Sequence, residues 1–256
     1  MASEFHYREP VTAPYNTAIA VSQSGESLDT LMAMRLGGEI DLQTIGLGNV
    51  PASTIAREAD AVMPTRAGPE IGVASTKAFT AQLTVLISFA VALADARGAI
   101  TPQRADEIQA QIQAMPGLVG KALTSFDDIR PIAHDLASAR SALFLGRDVL
   151  FPLALEGALK LKELSYIHAE GFASGEMKHG PIALIEDGLP VVAMLAADEV
   201  LGKAASNLRE ASARGGKIIL LTEEKAVAEV DFAESVITCL LYTSPRPRDV
   251  EDCRMP

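Results

Sequence analysis

Short apolar runs alternate with longer stretches of helical spacing along most of the chain. The predicted strands are residues 17–21, 44–47, 61–63, 142–145, 190–195 and 217–221. Strands that alternate with helices favour an α/β fold with a mainly parallel sheet. The same order of elements occurs twice, so we expect a duplicated fold with two three-layer αβα domains.

The helical stretches separate these strands and mark the domain boundaries. The predicted helices are residues 27–36, a helix opened by Pro51, residues 76–97, 129–139 and 152–168, a short helix near Pro181, and residues 199–214. Gly37 and Gly98 are typical of helix ends. Residues 99–128 look helical and polar, which indicates a connector. We therefore expect a first domain at 1–98, truncated at its start, and a second at 129–237.

Residues 238–256 break this pattern. They are rich in proline and arginine and contain both cysteines of the chain, Cys239 and Cys253. Such a change is typical either of a native flexible tail or of a frame error at the end of an incomplete gene. We expect a disordered or artefactual segment without function. The rest of the chain has no thiol, so it cannot form a disulfide framework or a cysteine metal site.

The chain is acidic, with 33 aspartates and glutamates, 22 lysines and arginines, and a formal net charge of −11. This balance argues against a nucleic acid partner, which requires clustered cations. It is compatible with one small phosphate, because backbone N–H groups can bind it. The first residues lack the features of a signal peptide, and the longest apolar run, 83–94, is too short to span a bilayer. We therefore expect a cytoplasmic protein with no membrane partner.

Three serines surround a glycine directly after the first predicted strand, in Ser22-Gln23-Ser24-Gly25-Glu26-Ser27, which we call the serine loop. A helix N-terminus presents unpaired N–H groups and a partial positive charge. The hydroxyls add donors that a phosphate can use. An ordinary serine-rich helix cap has the same composition. These residues alone favour the cap.

A second loop, Gly68–Lys77, joins the third predicted strand to the long helix. Ser75 or Thr76 can cap that helix. In open α/β sheets ligands bind beyond the carboxyl ends of the strands, so this loop and the serine loop can line one crevice. A simple capped connection would look the same in sequence.

Glu156, Lys160 and Glu163 recur at i, i+4 and i+7 of the predicted helix 152–168, which places them on one stripe. The other positions are largely apolar, so the stripe can face a crevice. A carboxylate beside an ammonium suits proton transfer next to a carbonyl. A solvated salt-bridge ladder has the same spacing, and the spacing alone favours the ladder.

His179 precedes the Gly180-Pro181 turn, at a predicted loop tip. A histidine there can act as acid or base near neutral pH, although a lone surface histidine is more often inert. The other histidines, at 6, 134 and 168, are not paired at metal-ligand spacing, so we expect no metal.

Four segments in this order are more specific together than apart: Val21–Ser27, Glu70–Thr80, Leu155–Glu163 and Glu176–Pro181. They closely resemble the isomerase half of the glutamine:fructose-6-phosphate aminotransferase family, also called glucosamine-6-phosphate synthases. The resemblance covers about residues 2–237. It implies two sugar-isomerase (SIS) domains, each a parallel sheet flanked by helices.

The resemblance also implies roles for individual side chains. Glu163 matches the base that moves a proton between sugar carbons 1 and 2, Lys160 matches its helper, and Glu156 a nearby acidic residue. His179 matches a histidine that assists ring opening from a neighbouring subunit, which implies a homodimer. The implied substrate-binding residues are Ser22, Gln23, Ser24 and Ser27 at the phosphate, where Ser27 replaces a frequent threonine, and Val73 and Ser75 at the sugar.

The implied reaction converts fructose 6-phosphate and ammonia to glucosamine 6-phosphate, for amino-sugar and UDP-N-acetylglucosamine biosynthesis, without metal or organic cofactor. The family's glutaminase domain, the start of its first SIS domain and its C-terminal tail are not matched. We therefore expect Met1 to be an internal methionine and synthase activity to be weak or absent. Two other functions stay open: a non-catalytic phosphosugar-binding SIS module, and a stand-alone glucosamine-6-phosphate deaminase or isomerase.

Overall fold

The computed structural model describes residues 1–238, so both cysteines and nearly all of the predicted tail lie outside the described residues. The chain folds into two compact units, residues 1–97 and a second unit that begins at Gly98. The first unit contains α1 (Ala2–Phe5), β1 (Thr17–Val21), α2 (Leu28–Glu39), β2 (Gln43–Gly48), α3 (Thr54–Glu58), β3 (Ala61–Pro64) and α4 (Lys77–Ala96).

The second unit contains the remaining elements. These are α5 (Pro102–Leu123), α6 (Phe126–Leu136), β4 (Ser141–Gly146), α7 (Phe151–Ser165), β5 (His168–Ala173), β6 (Pro190–Met194), α8 (Leu201–Ala213), β7 (Lys217–Thr222) and β8 (Ser235–Thr238). Short 3-10 helices connect them at 148–150, 174–179, 181–184 and 224–230. The predicted connector, 99–128, belongs to this unit by its internal packing.

The sheet of the first unit has the strand order β1-β2-β3 with parallel pairing. Val21 lies beside Leu47 at the carboxyl edge. α2 packs on β1 through Leu31 and Met34, which are buried together with Ala20. The serine loop, which follows Val21, therefore starts at the carboxyl edge of the sheet.

The sheet of the second unit has the order β5-β4-β6-β7-β8, again with parallel pairing. Successive side chains of a strand point to opposite faces of the sheet. Leu143 and Ala193 accordingly pack with α8 in one cluster, and Phe144 and Val192 pack with α7 in another. The unit is a three-layer αβα sandwich, which confirms the predicted fold class.

Strand spacing repeats between the two units. β2 begins 26 residues after β1, and β7 begins 27 residues after β6. β3 and β8 each begin 18 residues after the strand before them. Ser22 N donates to Leu47 O, and Leu195 N donates to Leu221 O, both at 3.0 Å. β1-β2-β3 and β6-β7-β8 are thus two copies of one arrangement.

Several helices have bounds that differ from the sequence expectation: α6 lies three residues earlier than the predicted helix 129–139, so the predicted connector ends inside it, and α8 is shorter than the predicted helix 199–214. α2 continues through Gly37 to Glu39. Gly37 is buried in the contact between α2 and β1, where a Cβ at this position would lie 3.4 Å from Ala18 Cβ. α3 begins at Thr54 and not near Pro51, because Ser53 caps it. Ser53 Oγ accepts a hydrogen bond from the N–H of Ala56 in the first turn of α3.

The sequence predicted that a helix ends at about residue 168 and that a polar loop follows, and this prediction is wrong. Residues 168–173 form β5, which pairs with β4. α7 ends at Ser165, because Tyr166 adopts a left-handed conformation with φ 62°. β5 contains no β-branched residue, so strand pairing overrides local propensity here. A Cβ at Gly171 would lie 2.8 Å from Ala154 O, so α7 approaches β5 more closely than a side chain allows.

α4 is long and apolar enough to cross a membrane by length and composition alone, with a mean hydropathy of 1.6 over its most apolar window. The apolar run 83–94 by itself did not indicate this. Core helices of water-soluble proteins pass the same test, so the finding is weak evidence for a membrane span.

Candidate functional site

The serine loop is internally hydrogen-bonded. Ser22 is buried, and its Oγ accepts a hydrogen bond from Gly25 N at 3.0 Å and lies 3.0 Å from Ser27 Oγ. Ser24 Oγ accepts from Glu26 N at 3.2 Å. These bonds to backbone N–H groups use lone pairs of the hydroxyl oxygens. A hydroxyl also carries one donor proton, so the loop can still donate to an anion.

Gly25 and Glu26 fasten the serine loop to α3. Gly25 has φ +67°, and a Cβ there would lie 2.0 Å from Ser53 Oγ, so glycine is required. Gly25 O accepts from Ile55 N at 3.0 Å, and Glu26 Oε1 accepts from Thr54 N at 2.8 Å. The backbone and side-chain hydrogen bonds of Thr54 lower the pKa of Glu26. The negative charge of the loop is therefore held at α3.

The N-terminus of α2 lacks the serine cap that the composition suggested. Ser27 occupies the N-cap position, and its side chain makes no capping hydrogen bond within the described part of the chain. The N–H groups of a first helical turn have no carbonyl partner inside the helix. This geometry favours an anion at the serine loop over an ordinary cap.

Val73 and Ser75 lie in residues 65–76, which we call the β3–α4 loop. Val73 is 93% exposed, and Ser75 is half-buried. The expected cap by Ser75 or Thr76 is not formed, because Thr76 at the N-cap position makes no capping hydrogen bond. Glu70 Oε2 instead accepts from Ala78 N at 3.0 Å, where a helix N-terminus favours negative charge.

A cleft of about 650 Å³ lies beside the serine loop in the first unit. Gly25, Asn49, Ser53 and Arg66 are among the residues that line it. None of the six predicted substrate-binding residues lines this cleft. The serine side chains therefore belong to a different part of the surface, although Gly25 borders both.

In the second unit, Lys160 bridges two carboxylates on α7. Its Nζ lies 2.7 Å from Glu163 Oε2 and 3.4 Å from Glu156 Oε1. The three side chains are between 21% and 32% exposed. They lie on the side of α7 opposite to Ala154 and Ala158, which pack against the sheet. The predicted stripe is thus a connected, partly buried ion-pair cluster.

The cluster keeps Lys160 charged. Burial by itself lowers the pKa of Lys160, but the hydrogen bond with Glu163 and the charge of Glu156 outweigh burial, and the pKa is raised above its ordinary value. An ammonium has no lone pair to accept a proton. The carboxylates are therefore the groups of this cluster that can accept one.

His179 is exposed at the end of the 3-10 helix 174–179, which follows β5. Two contacts tie this helix to α8. Asn207 Nδ2 donates to Ser174 O at 2.8 Å, and Lys178 pairs with Glu210 at 2.6 Å. The predicted loop tip is therefore an ordered turn that presents His179 to solvent.

In the second copy of the repeat, side chains of the protein bond to the loop after β6, which corresponds to the serine loop after β1. A Cβ on Gly48, at the end of β2, would lie 2.8 Å from Ser22 O. Thr222, at the end of β7, is fully buried and its Oγ1 donates to the matching carbonyl at 3.0 Å. Glu223 is also buried, and its Oε1 accepts from Ala197 N at 3.2 Å. A carboxylate of the protein thus sits at the loop after β6.

Asn49, Glu70 and Glu223 were not predicted from the sequence, although Asn49 and Glu223 bind loops at the carboxyl edges of the sheets and Glu70 binds the start of α4. Asn49 and Glu223 directly follow a strand, and a polar residue at the carboxyl edge of a sheet is the signal that could have found them. Glu70 lies too far from the start of α4 for a capping box. Among residues 1–238, no group of three or more histidine, cysteine, aspartate or glutamate side chains could hold a metal ion.

Two relatives with a shared name match nearly the whole chain. The chain is 51% identical over 241 residues to the glutamine–fructose-6-phosphate aminotransferase (isomerizing) of Bradyrhizobium diazoefficiens, and 50% identical over 245 residues to that of Brucella abortus. These alignments cover 94% and 96% of this chain. The chain spans only 40% of the length of each relative.

The fold is also similar to a solved structure, the C-terminal domain of glucosamine-fructose-6-phosphate aminotransferase from Francisella tularensis. The TM-score is 0.92 at 39% identity, over 98% of this chain and 72% of that one. The family model of the SIS domain matches residues 1–92 and 135–245, one stretch for each parallel sheet. The chain therefore belongs to the SIS domain family.

Proposed function

We propose that this chain is the isomerase part of a glutamine–fructose-6-phosphate aminotransferase, which forms glucosamine 6-phosphate from fructose 6-phosphate and ammonia. The cluster of Glu156, Lys160 and Glu163 on α7 carries the proposal, because a carboxylate oriented by a fixed ammonium suits proton transfer next to a carbonyl. The names of the relatives at 50% and 51% identity support the choice of substrate.

The serine loop binds the phosphate in this proposal. The hydroxyls of Ser22, Ser24 and Ser27 donate to phosphate oxygens, together with Gln23 and the N-terminus of α2, and the hydrogen bond between Ser22 and Ser27 is exchanged for bonds to the phosphate. Glu26 does not oppose this, because its carboxylate is engaged by Thr54 N. Val73 and Ser75, in the β3–α4 loop, contact the sugar.

The chemistry proceeds on the open-chain sugar. Ammonia adds to carbon 2, and water leaves to give an imine that is protonated on nitrogen. Glu163 removes a proton from carbon 1, and the electron pair moves through carbon 2 to the nitrogen. Glu163 then returns the proton to carbon 2, and carbon 1 becomes an aldehyde as its hydroxyl loses a proton. Lys160 orients Glu163, Glu156 orients Lys160, and His179 assists ring opening.

The assembly belongs to the same proposal. We place two SIS domains at 1–98 and 129–237, joined by the connector 99–128. A homodimer in the cytoplasm would bring His179 to the site of the neighbouring subunit, and its exposed position on an ordered turn suits that role.

The test separates binding from chemistry in the full chain. Fructose 6-phosphate is titrated calorimetrically into the unaltered chain and the double variant Ser22→Ala/Ser24→Ala, with Ser138→Ala as control. We expect the double variant to lose about tenfold or more in affinity, since two hydrogen bonds to a charged group are removed. Unchanged affinity in the double variant would refute the phosphate assignment.

Chemistry is followed by mass spectrometry of glucosamine 6-phosphate and of solvent deuterium incorporated into the sugar. In the intact enzyme to which we assign this isomerase part, Glu163→Gln should abolish both signals and leave fructose 6-phosphate binding intact, whereas Glu229→Gln, on an exposed residue, should change neither. Binding with neither product nor deuterium in the unaltered intact enzyme would favour a non-catalytic phosphosugar module. Release of ammonia from glucosamine 6-phosphate without synthesis would favour a deaminase.

A further inference from the structure

Asn49, the first residue after β2, hydrogen-bonds to two loops at once. Its backbone N donates to Gln23 O in the serine loop at 3.0 Å. Its side chain reaches the β3–α4 loop, where Nδ2 donates to Gly68 O at 2.7 Å. Oδ1 accepts from Ala67 N at 2.9 Å and from Thr65 Oγ1 at 3.1 Å. One half-buried residue thus connects the two loops.

This pattern requires an amide side chain. An amide carries two N–H donors and an oxygen with two lone pairs. Asn49 uses both lone pairs of Oδ1 and one N–H within the β3–α4 loop. Aspartate would keep the two accepted hydrogen bonds but lose the donor to Gly68 O. An apolar side chain would lose all three.

The tethered segment contains a strained residue. Arg66, between the two residues that donate to Oδ1, has φ +52°. A residue with a Cβ adopts this left-handed conformation only when its surroundings impose it. The hydrogen bonds of Thr65 and Ala67 to Asn49 lie on either side of Arg66 and provide that constraint. The start of the β3–α4 loop is therefore held in a shape that depends on Asn49.

The second copy of the repeat supports a linking role at this position. Glu223 directly follows β7, as Asn49 follows β2, and its side chain binds the loop after β6. The side chain of Asn49 instead bonds to the β3–α4 loop, which follows the third strand of its sheet. Asn49 thus bonds to the serine loop through its backbone N–H, while its three side-chain hydrogen bonds go to the β3–α4 loop.

We propose that Asn49 is a positioning residue that fixes the start of the β3–α4 loop, residues 65–68, against the serine loop and so restricts where that loop places Val73 and Ser75. A sugar phosphate is then bound at its phosphate by one loop and at its sugar by the other. This inference rests on the proposed function, because it assumes those two roles for the loops. It assigns to Asn49 no contact with the substrate.

The experiment compares Asn49→Ala and Asn49→Asp with a matched control, Thr44→Val. Thr44 Oγ1 bonds to Asp60 Oδ2 at 2.9 Å and accepts from Asp60 N at 3.1 Å, at the opposite end of the same strand pair. Each chain is titrated calorimetrically with fructose 6-phosphate and with inorganic phosphate. Amide hydrogen exchange at Ala67, measured by NMR, reports on the tether itself.

We expect Asn49→Ala to speed exchange at Ala67 and to weaken fructose 6-phosphate binding, each by about tenfold, because hydrogen bonds that order the loop are lost. Inorganic phosphate, which needs only the serine loop, should bind with unchanged affinity. Asn49→Asp should keep Ala67 protected and restore part of the affinity. Thr44→Val should lower the melting temperature without changing either affinity.

Three results would overturn the inference. These are unchanged exchange at Ala67 in Asn49→Ala, an equal loss of affinity for inorganic phosphate, or the same loss for fructose 6-phosphate in Thr44→Val. If the unaltered chain binds neither ligand, the proposed function fails, and the role of Asn49 in substrate binding fails with it. Exchange at Ala67 then still decides whether Asn49 tethers the loop.

Discussion

Replacement of Gly25 by alanine tests how the serine loop is built. The φ of +67° costs a residue with a Cβ about 1–2 kcal/mol. The new methyl group would also lie 2.0 Å from Ser53 Oγ and 2.5 Å from Ser53 Cβ. Relief of this overlap must displace the N-terminus of α3, which adds about 1–3 kcal/mol. We therefore expect the free energy of unfolding of the first unit to fall by about 2–5 kcal/mol.

A second substitution separates the two contributions. Ser53→Gly removes both overlapping atoms and, as a change of N-cap residue, costs only a few tenths of a kcal/mol. In that background Gly25→Ala should lose about 1–2 kcal/mol, the conformational part alone. Gly38→Ala is the control, because no atom lies within 4 Å of its Cβ position, and it should stabilise α2 by about 0.5–1 kcal/mol.

The assay is urea denaturation followed by far-UV circular dichroism. Peptide-level hydrogen exchange over 18–60 assigns the transition to the first unit, since a chain with two compact units can unfold in two steps. A Gly25→Ala chain as stable as the unaltered one would refute the reasoning. An equal loss in both backgrounds would show that the contact with Ser53 does not matter.

Two further predictions concern pH. The pKa of Lys160 is raised in the folded chain, so its contribution to stability is full below the ordinary value of 10.5 and is lost as the pH rises through the higher folded value. Melting temperatures should therefore fall more steeply with alkaline pH in the unaltered chain than in Lys160→Met. Hydrogen bonds from the backbone and side chain of Thr44 lower the pKa of Asp60, so its contribution is full above the ordinary value of 3.8 and is lost as the pH falls through the lower folded value. Asp60→Asn should be less stable than the unaltered chain at neutral pH and should lose less on acidification.

Parallel melting curves would contradict these expectations. If Lys160→Met and the unaltered chain lose stability equally above pH 10.5, the ion pairs on α7 do not hold the lysine proton. If Asp60→Asn shows the acid sensitivity of the unaltered chain, the hydrogen bonds from Thr44 do not stabilise the carboxylate.

The sequence predicted correctly those elements whose local pattern of apolar and polar residues agrees with their packing in the fold. β1 has the predicted bounds because a run of five mainly apolar residues is followed directly by a glycine- and serine-rich turn. The stripe of Glu156, Lys160 and Glu163 followed from helical spacing alone, and the structure adds that one ammonium joins the two carboxylates. In these cases the information lies within a few neighbouring residues.

The features that the sequence did not predict depend on partners far along the chain. β5 is a strand because β4 offers an open edge and Gly171 admits α7, neither of which is visible in residues 168–173. Asn49 forms side-chain hydrogen bonds with residues 16 to 19 positions later in the chain, and Glu70 accepts a hydrogen bond from the first turn of α4, 8 positions away. The position of Asn49 directly after a strand marks it as a candidate, but local patterns contain no signal for the distant partners of either residue.

The contrast between Gly48 and Thr222 has a consequence for how a duplicated domain diverges. The two copies share strand spacing and the first hydrogen bond of the loop, and they differ in the residue that ends their second strand. A glycine there lets the carbonyl of Ser22 approach β2 closely, whereas Thr222 and the following Glu223 bond to the matching loop with their side-chain oxygen atoms. The carboxyl edge of the second copy is thereby closed by contacts within the chain. One strand framework thus carries two different edges, and an exchange of Gly48 and Thr222 would fit neither of them.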